Sequence, residues 1–184
     1  MTVMIRKVFE EDMEPILAVL RAYNCKVIHP VDNALIDDDY GQVISVVNEV
    51  SALKLENAFV AQLDDVIVGF CHYKHYSSDT AKTTLMSVLP QYRGFGVGKA
   101  LQLARMKEAH DKGYRKMLTY CDVPKTMVWY QKNFNYAVLR TELNHHMLHF
   151  FSGPDGPIWL IHHGSKDEYL KVLECDLDAY FASH

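Results

Sequence analysis

A chain of 184 residues, 49% hydrophobic and 23% charged, has an ordinary soluble composition and enough length for one domain with a sizeable core. A formal net charge of −4 and a pI near 6.2 argue against a general nucleic-acid binder, while leaving room for a local basic patch. No stretch approaches the roughly 18 apolar residues that span a bilayer. Nothing resembles a secretory signal, and four scattered cysteines without a C-x-x-C spacing read as reduced, mostly buried thiols of a cytoplasmic protein.

In chain order, Met4–Phe9 is predicted as a first strand. Asp12 can cap a following helix, with Pro15 in its first turn and an apolar stripe of Ile16, Leu17, Val19, Leu20 and Tyr23. Asn24–Tyr40, with His29-Pro30 and the run Asp37-Asp38-Asp39, reads as a loop, and helix is expected to resume over Tyr40–Leu53. Ala58–Leu63 and Val66–Tyr76 read as a hairpin turned at Asp64-Asp65. Alternation puts His72 with Phe70 on one face and Cys71, Tyr73 and His75 on the other. Lys82–Leu89 is a central strand, followed by a helix whose buried face is Val97, Ala100, Leu101 and Ala104 and which closes at Lys112-Gly113. Lys116–Cys121 is a strand, a helix opens at Asp122-Val123-Pro124, and Tyr136–Leu143 and His146–Phe151 return as strands. Gly153–Pro157 is a turn-rich loop, and Lys166–Phe181 is predicted as a terminal helix.

The order is that of an α/β domain built around a mixed sheet. It divides into residues 1–151 and a C-terminal loop and helix, 152–184, packed on the same domain or at a dimer interface.

The most informative stretch is Leu85–Leu101, LMSVLPQYRGFGVGKAL, a strand entering a glycine loop that opens a helix. Amides in such a loop, with the positive end of the helix behind them, suit a pyrophosphate. Three phosphate motifs compete for it. Walker A fails at Arg93 and at Ala100, and the dinucleotide fingerprint fails at Lys99. The pattern Q/R-x-x-G-x-G/A is matched without gaps by Gln91, Gly94 and Gly96.

On those residues the chain resembles the GNAT superfamily of acyl-CoA N-acyltransferases, from Met4 to about Phe151. The resemblance implies a mixed, mostly antiparallel sheet flanked by helices, here with an additional C-terminal segment. It implies acetyl-CoA held by Met86, Ser87, Val88 and Leu89 at the strand end, then by Gln91, Tyr92, Arg93, Gly94, Phe95, Gly96, Val97, Gly98 and Lys99. The Val88 N–H would face the thioester carbonyl, a donor typically worth about 3–4 kcal/mol.

Trp129-Tyr130 through Asn135-Tyr136 looks like the family's segment in which a helix Tyr precedes a Gly-Phe pair. Asn135 replaces the glycine, with one residue more than the commonest spacing, and Asn tolerates a left-handed conformation. By that likeness Tyr130 is the general acid for the leaving thiolate.

The central strand lacks the carboxylate that many members carry there. His72, Tyr73 or Ser87 through water, or Asp122, are the candidates for the base. His145, His146, His149, His162 and His163 suggest a metal, yet no Cys or carboxylate completes a ligand spacing, and no metal is expected. The Asp37–Asp39 run reads first as a solvated helix start, and second as an attractor for a cationic amine. The expected activity is transfer of an acetyl group from acetyl-CoA to a primary amine of a small molecule by direct attack, with no nucleic-acid or membrane partner and with homodimerisation open. The alternative is a GNAT-fold module that binds or senses CoA without turnover.

Overall fold

A computed structural model of the chain describes residues 3–22, 25–29, 47–143, 146–162 and 169–184. The elements are β1 (Met4–Lys7), α1 (Met13–Arg21), β2 (Cys25–Ile28), β3 (Val47–Ala52), β4 (Ala58–Leu63), β5 (Val66–Ser77), β6 (Thr80–Val88), α2 (Val97–Asp111) and β7 (Lys116–Cys121). After these come α3 (Pro124–Phe134), β8 (Ala137–Leu143), β9 (His146–Gly153), β10 (Gly156–His162), β11 (Tyr169–Asp176) and α4 (Leu177–Ala182). Seven strands form the main sheet in the order β1-β4-β5-β6-β7-β11-β8, and only β6 and β7 pair in parallel. Four others form a second sheet, β2-β10-β9-β3.

Alternation along the central strands sorts the core into two layers. Phe59, Cys71, Tyr73, Met117 and Leu173 face α2, α3 and α4, where they meet Leu101, Met106, Phe134 and Leu177. Val60, Ile67, Phe70 and Leu85 face the opposite way, against α1 and the second sheet. Phe70 and Phe151 pack edge-on there, ring centroids 5.9 Å apart. Burying one such aromatic contributes roughly 1.5–3 kcal/mol. Helix α2 lies tight on β5 because position 69 is glycine: a Cβ there would stand 2.9 Å from Leu101 Cδ1 and 3.3 Å from the Ser87 carbonyl oxygen.

The hairpin turn falls where expected. Asp64 and Asp65 both take positive φ, 46° and 66°, as a two-residue hairpin turn requires. The face assignments of Phe70, His72, Cys71 and Tyr73 hold as well.

Four expectations change. Asp12 precedes α1, but its carboxylate accepts from Arg6 at 2.6 and 2.8 Å and from the Phe9 N–H at 2.8 Å instead of capping the helix. Those bonds, Arg6 first, hold its carboxyl below the usual range. Residues 47–52, expected as helix, are strand β3, paired in parallel with β9. Cys25–Ile28, expected within a loop, is strand β2 on β10. Residues 169–176, expected as helix, are strand β11, inserted between β7 and β8. Leu170 and Val172 pack with Leu118 on one face of β11 and Leu173 and Cys175 enter the helix-side core on the other, with Lys171 and Glu174 between them, so the apolar residues Leu170, Leu173 and Leu177 recur at the spacing of a helix. Of the stretch Gly153–Pro157, only Pro154 and Asp155 form the tight turn, while Gly153 ends β9 and Gly156 and Pro157 open β10 opposite it. Tyr23, the Asp37–Asp39 run, His145 and His163 lie outside the described residues.

Candidate active site

The site begins where the main sheet opens. β6 and β7 pair only from Thr80 to Lys82 against Lys116 to Leu118, and one side-chain bond beyond, from Thr83 Oγ1 to Thr119 Oγ1 at 2.7 Å, closes that ladder. Further along no register joins them, so a wedge-shaped gap opens between the strand ends. The Leu89 N–H donates to the Val68 carbonyl on the β5 side, 2.9 Å away. Strand alternation therefore turns the Val88 N–H away from β5, into the gap. The Val88 carbonyl accepts from Arg93 Nε at 2.9 Å, which ties the loop back to the strand.

The chain leaves the gap through a 3-10 turn at Pro90–Tyr92 and a turn over residues 93–96, then enters α2. Gly94 and Gly96 take φ of 85° and 83°, the left-handed region that favours glycine, and a Cβ at either would meet nothing within 4 Å. The protein thus requires these two glycines for backbone conformation and leaves open space beside them. Gly98 differs: its backbone is helical, and a Cβ there would make only ordinary 3.9 Å contacts with Trp129 and Val88. The Arg93 amide bonds the Pro90 carbonyl at 3.3 Å, so the outward donors begin at Gly94. Val97 buries its side chain in the core while its amide, with those of Gly98 and Lys99, belongs to the unpaired first turn of α2. Phe95, 72% exposed, stands out from the loop beside them.

Tyr130 comes from α3 and is buried in the core layer between the main sheet and α2. Trp129 and Tyr136 pack on its ring, each with centroid 5.0 Å away, and Asn135 ends the helix with φ 55° and ψ 29°, the left-handed conformation its residue type tolerates. The Tyr130 hydroxyl accepts from Arg105 Nη2 at 2.9 Å. Arg105 and Gln102 are buried on α2, and the sequence reading passed over both. The available signal is two polar residues standing beside Leu101 and Met106 on the apolar face of a helix.

Three of the four residues considered as base are held in other duties. Tyr73 donates to Glu108 Oε1 at 2.8 Å under α2, and burial followed by that carboxylate pushes its phenol far up. Ser87 turns its hydroxyl to the Val19 carbonyl, 3.3 Å away, towards α1 and away from the gap. His72 is buried between the sheets. Its Nδ1 lies 2.7 Å from Thr84 Oγ1, which itself donates to the His72 carbonyl, so Nδ1 carries the proton. Its Nε2 has no hydrogen-bond partner among the described residues, and burial pushes the imidazole down to about 3. A group that weak cannot take a proton from an ammonium. Asp122 stands half-buried after β7. Among the described residues no group of three or more His, Cys, Asp or Glu side chains could hold a metal ion.

Residues 54–134, which carry β4 to α3 and so the whole gap and loop, match the family described as Acetyltransferase (GNAT) domain. Over that segment the chain resembles the acetyltransferase domains of that family. No curated protein matches the chain by sequence. Among solved structures, the chain is similar to Ard1 from Thermoplasma volcanium, with 16% identity, 96% of this chain and 98% of that one covered, and a TM-score of 0.62. It is also similar to an N-acetyltransferase from Staphylococcus aureus Mu50, at 21% identity, 96% and 99% coverage and a TM-score of 0.59. A protein of Bacillus anthracis str. Ames assigned as a streptothricin acetyltransferase, solved with acetyl coenzyme A, has 14% identity, 95% and 99% coverage and a TM-score of 0.59. These likenesses extend the shared fold well beyond the matched segment, to nearly the full length of the chain.

Proposed function

We propose that the chain transfers the acetyl group of acetyl-CoA to a primary amine of a small molecule by direct attack. The observation that carries this reading is the continuous path from the β6–β7 gap, with the Val88 N–H turned into it, to the outward amides at the start of α2. An acyl carbonyl at Val88 and a pyrophosphate at residues 94–99 would lie at the two ends of that path. Tyr130 would give its proton to the departing thiolate.

Direct attack is favoured because no cysteine suits an acyl-enzyme. All four are buried and reduced, and burial pushes Cys25 and Cys71 to about 11 and Cys175 to about 12. The same buried thiols suit a cytoplasmic protein. A small acceptor is the kind suggested by the name of the streptothricin enzyme.

The test is a panel of primary amines with acetyl-CoA, reading free thiol: amino acids, polyamines, amino sugars, and peptides with free N-termini. Turnover of a small amine supports the reading; turnover of peptides alone contradicts it. A second reading, a domain that binds acetyl-CoA without turnover, is favoured by the lack of a carboxylate on β6. It predicts acetyl-CoA binding with no thiol release on any amine.

A further inference from the structure

We propose that Arg105 is the positioning residue of this site: one buried guanidinium fixes the bulge of β6 and the Tyr130 hydroxyl relative to each other. The proposal rests on the reading of Tyr130 as the acid.

The bulge comes from the register of β5 and β6. Cys71 pairs with Met86 and Tyr73 with Thr83, so Thr84 and Leu85 together face the single residue His72. Such a bulge interrupts the ladder and bends the strand that carries it. Here it sets the direction in which β6 runs to Met86 and Val88, and therefore where the Val88 N–H points. It also gathers two carbonyls, those of His72 and Leu85, around a single donor. Arg105 Nη1 reaches both, 3.2 Å from each.

The rest of the guanidinium faces the other half of the site. Nη2 donates to Tyr130 Oη at 2.9 Å. Nε donates to Gln102 Oε1 at 2.7 Å, and Nη2 also reaches that oxygen. Gln102 is itself anchored by its Nε2 to Tyr136 Oη, 3.1 Å away. Arg105 thus makes five bonds for its five N–H groups, every acceptor is neutral, and the side chain is 1% exposed. A buried cation is costly unless fully bonded, and an apolar residue would fill this place on α2 without that cost. The arrangement is therefore expensive to keep for packing alone.

Its chemical consequence lies at Tyr130. With one lone pair occupied by Arg105, the phenol is oriented as a donor, and no protein acceptor takes its proton among the described residues. In the transfer step the amine nitrogen bonds to the acyl carbon and the C–S bond breaks, its electron pair leaving with sulfur. The Tyr130 proton passes to sulfur. The proton released by the amine nitrogen returns through solvent to the phenolate, which faces a guanidinium while it exists.

The experiment is a double-mutant cycle on Tyr130→Phe and Arg105→Met, with acetyl-CoA and the best amine of the panel. Each variant is first checked for a retained thermal shift with acetyl-CoA. R105M is expected to lower kcat about 10–100-fold, inside the usual range for general acid help. In the Y130F background it should cost less than about threefold, because the residue it acts through is already gone. The deficits of both single variants should shrink when S-phenyl thioacetate replaces acetyl-CoA, since thiophenolate leaves without a proton. A structural role would not depend on the leaving group.

Equal losses from R105M in both backgrounds, or equal losses with both donors, would overturn the positioning role while leaving Tyr130 as the acid. An unchanged kcat in Y130F would overturn the acid reading itself. If R105M does not fold, a structure of the wild-type protein with CoA decides instead. The proposal requires Tyr130 Oη within hydrogen-bond reach of the sulfur while still held by Arg105, and a hydroxyl turned away from Arg105 contradicts it.

Discussion

At the scale of single residues, two buried side chains, Tyr130 and His72, each have a measurable signature. Tyr130 has an aromatic environment and one charged donor, so removing its oxygen should leave packing intact. Y130F is expected to lower kcat by about 10²–10⁴ with acetyl-CoA affinity unchanged, measured by steady-state kinetics alongside direct titration of the donor. An unaltered kcat would make Tyr130 a packing residue. His72 makes a prediction in pH. Its folded value of about 3 lies below the ordinary value near 6.5, so the unfolded chain binds more protons between those limits. Stability therefore rises with pH across that window and falls on acidification, by about 1.4 kcal/mol per pH unit while the difference is one proton. His72→Asn should flatten that part of the profile relative to wild type, read as unfolding midpoints in urea from pH 6.5 to 4. Parallel profiles would mean that the imidazole is protonated in the fold.

The elements show which structure can be read locally. The Asp64-Asp65 turn, the start of α2 and the end of α3 at Asn135 depend on backbone conformations that specific residue types announce, and all three were legible in the sequence. Strands β3 and β11 were not, because their identity is set by distant partners. Val47–Ala52 is a strand because β9 lies beside it, and Tyr169–Asp176 because β7 and β8 do. The site divides in the same way. The glycine loop and Tyr130 carry motifs, whereas Arg105 becomes meaningful only once α2 is laid against the bulge of β6.

Two predictions belong at this scale. Gly98→Ala should be neutral to slightly stabilising, by up to about 0.5–1 kcal/mol, because a Cβ there meets only 3.9 Å contacts. It should nevertheless weaken acetyl-CoA binding, since the methyl projects where the donor's phosphates would approach. Undiminished affinity would move the phosphates away from the first turn of α2. Truncation before Ser165 removes β11 from between β7 and β8 and should abolish cooperative unfolding. A truncated protein that still melts cooperatively would show that the main sheet closes without β11.

Over the whole molecule, a seven-stranded sheet is covered on one face by α2, α3 and α4 and on the other by α1 and a second, four-stranded sheet. The second sheet went unforeseen because its strands come from three separate parts of the chain, at 25–28, 47–52 and 146–162, and no local pattern joins them. The main sheet opens between β6 and β7, where pairing stops after Lys82 and Leu118. No helix among the described residues is long and apolar enough to cross a membrane.

The central claim, that the gap and the glycine loop together hold acetyl-CoA, is tested most directly by thermal unfolding with acetyl-CoA, ATP and NAD in parallel. Ligand at about 100 times its dissociation constant adds roughly 2.7 kcal/mol, which for a domain of this size raises Tm by about 5–11 °C. That shift is expected with acetyl-CoA, and none of comparable size with ATP or NAD. An absent shift at saturating acetyl-CoA, or an equal one with all three, would contradict the claim.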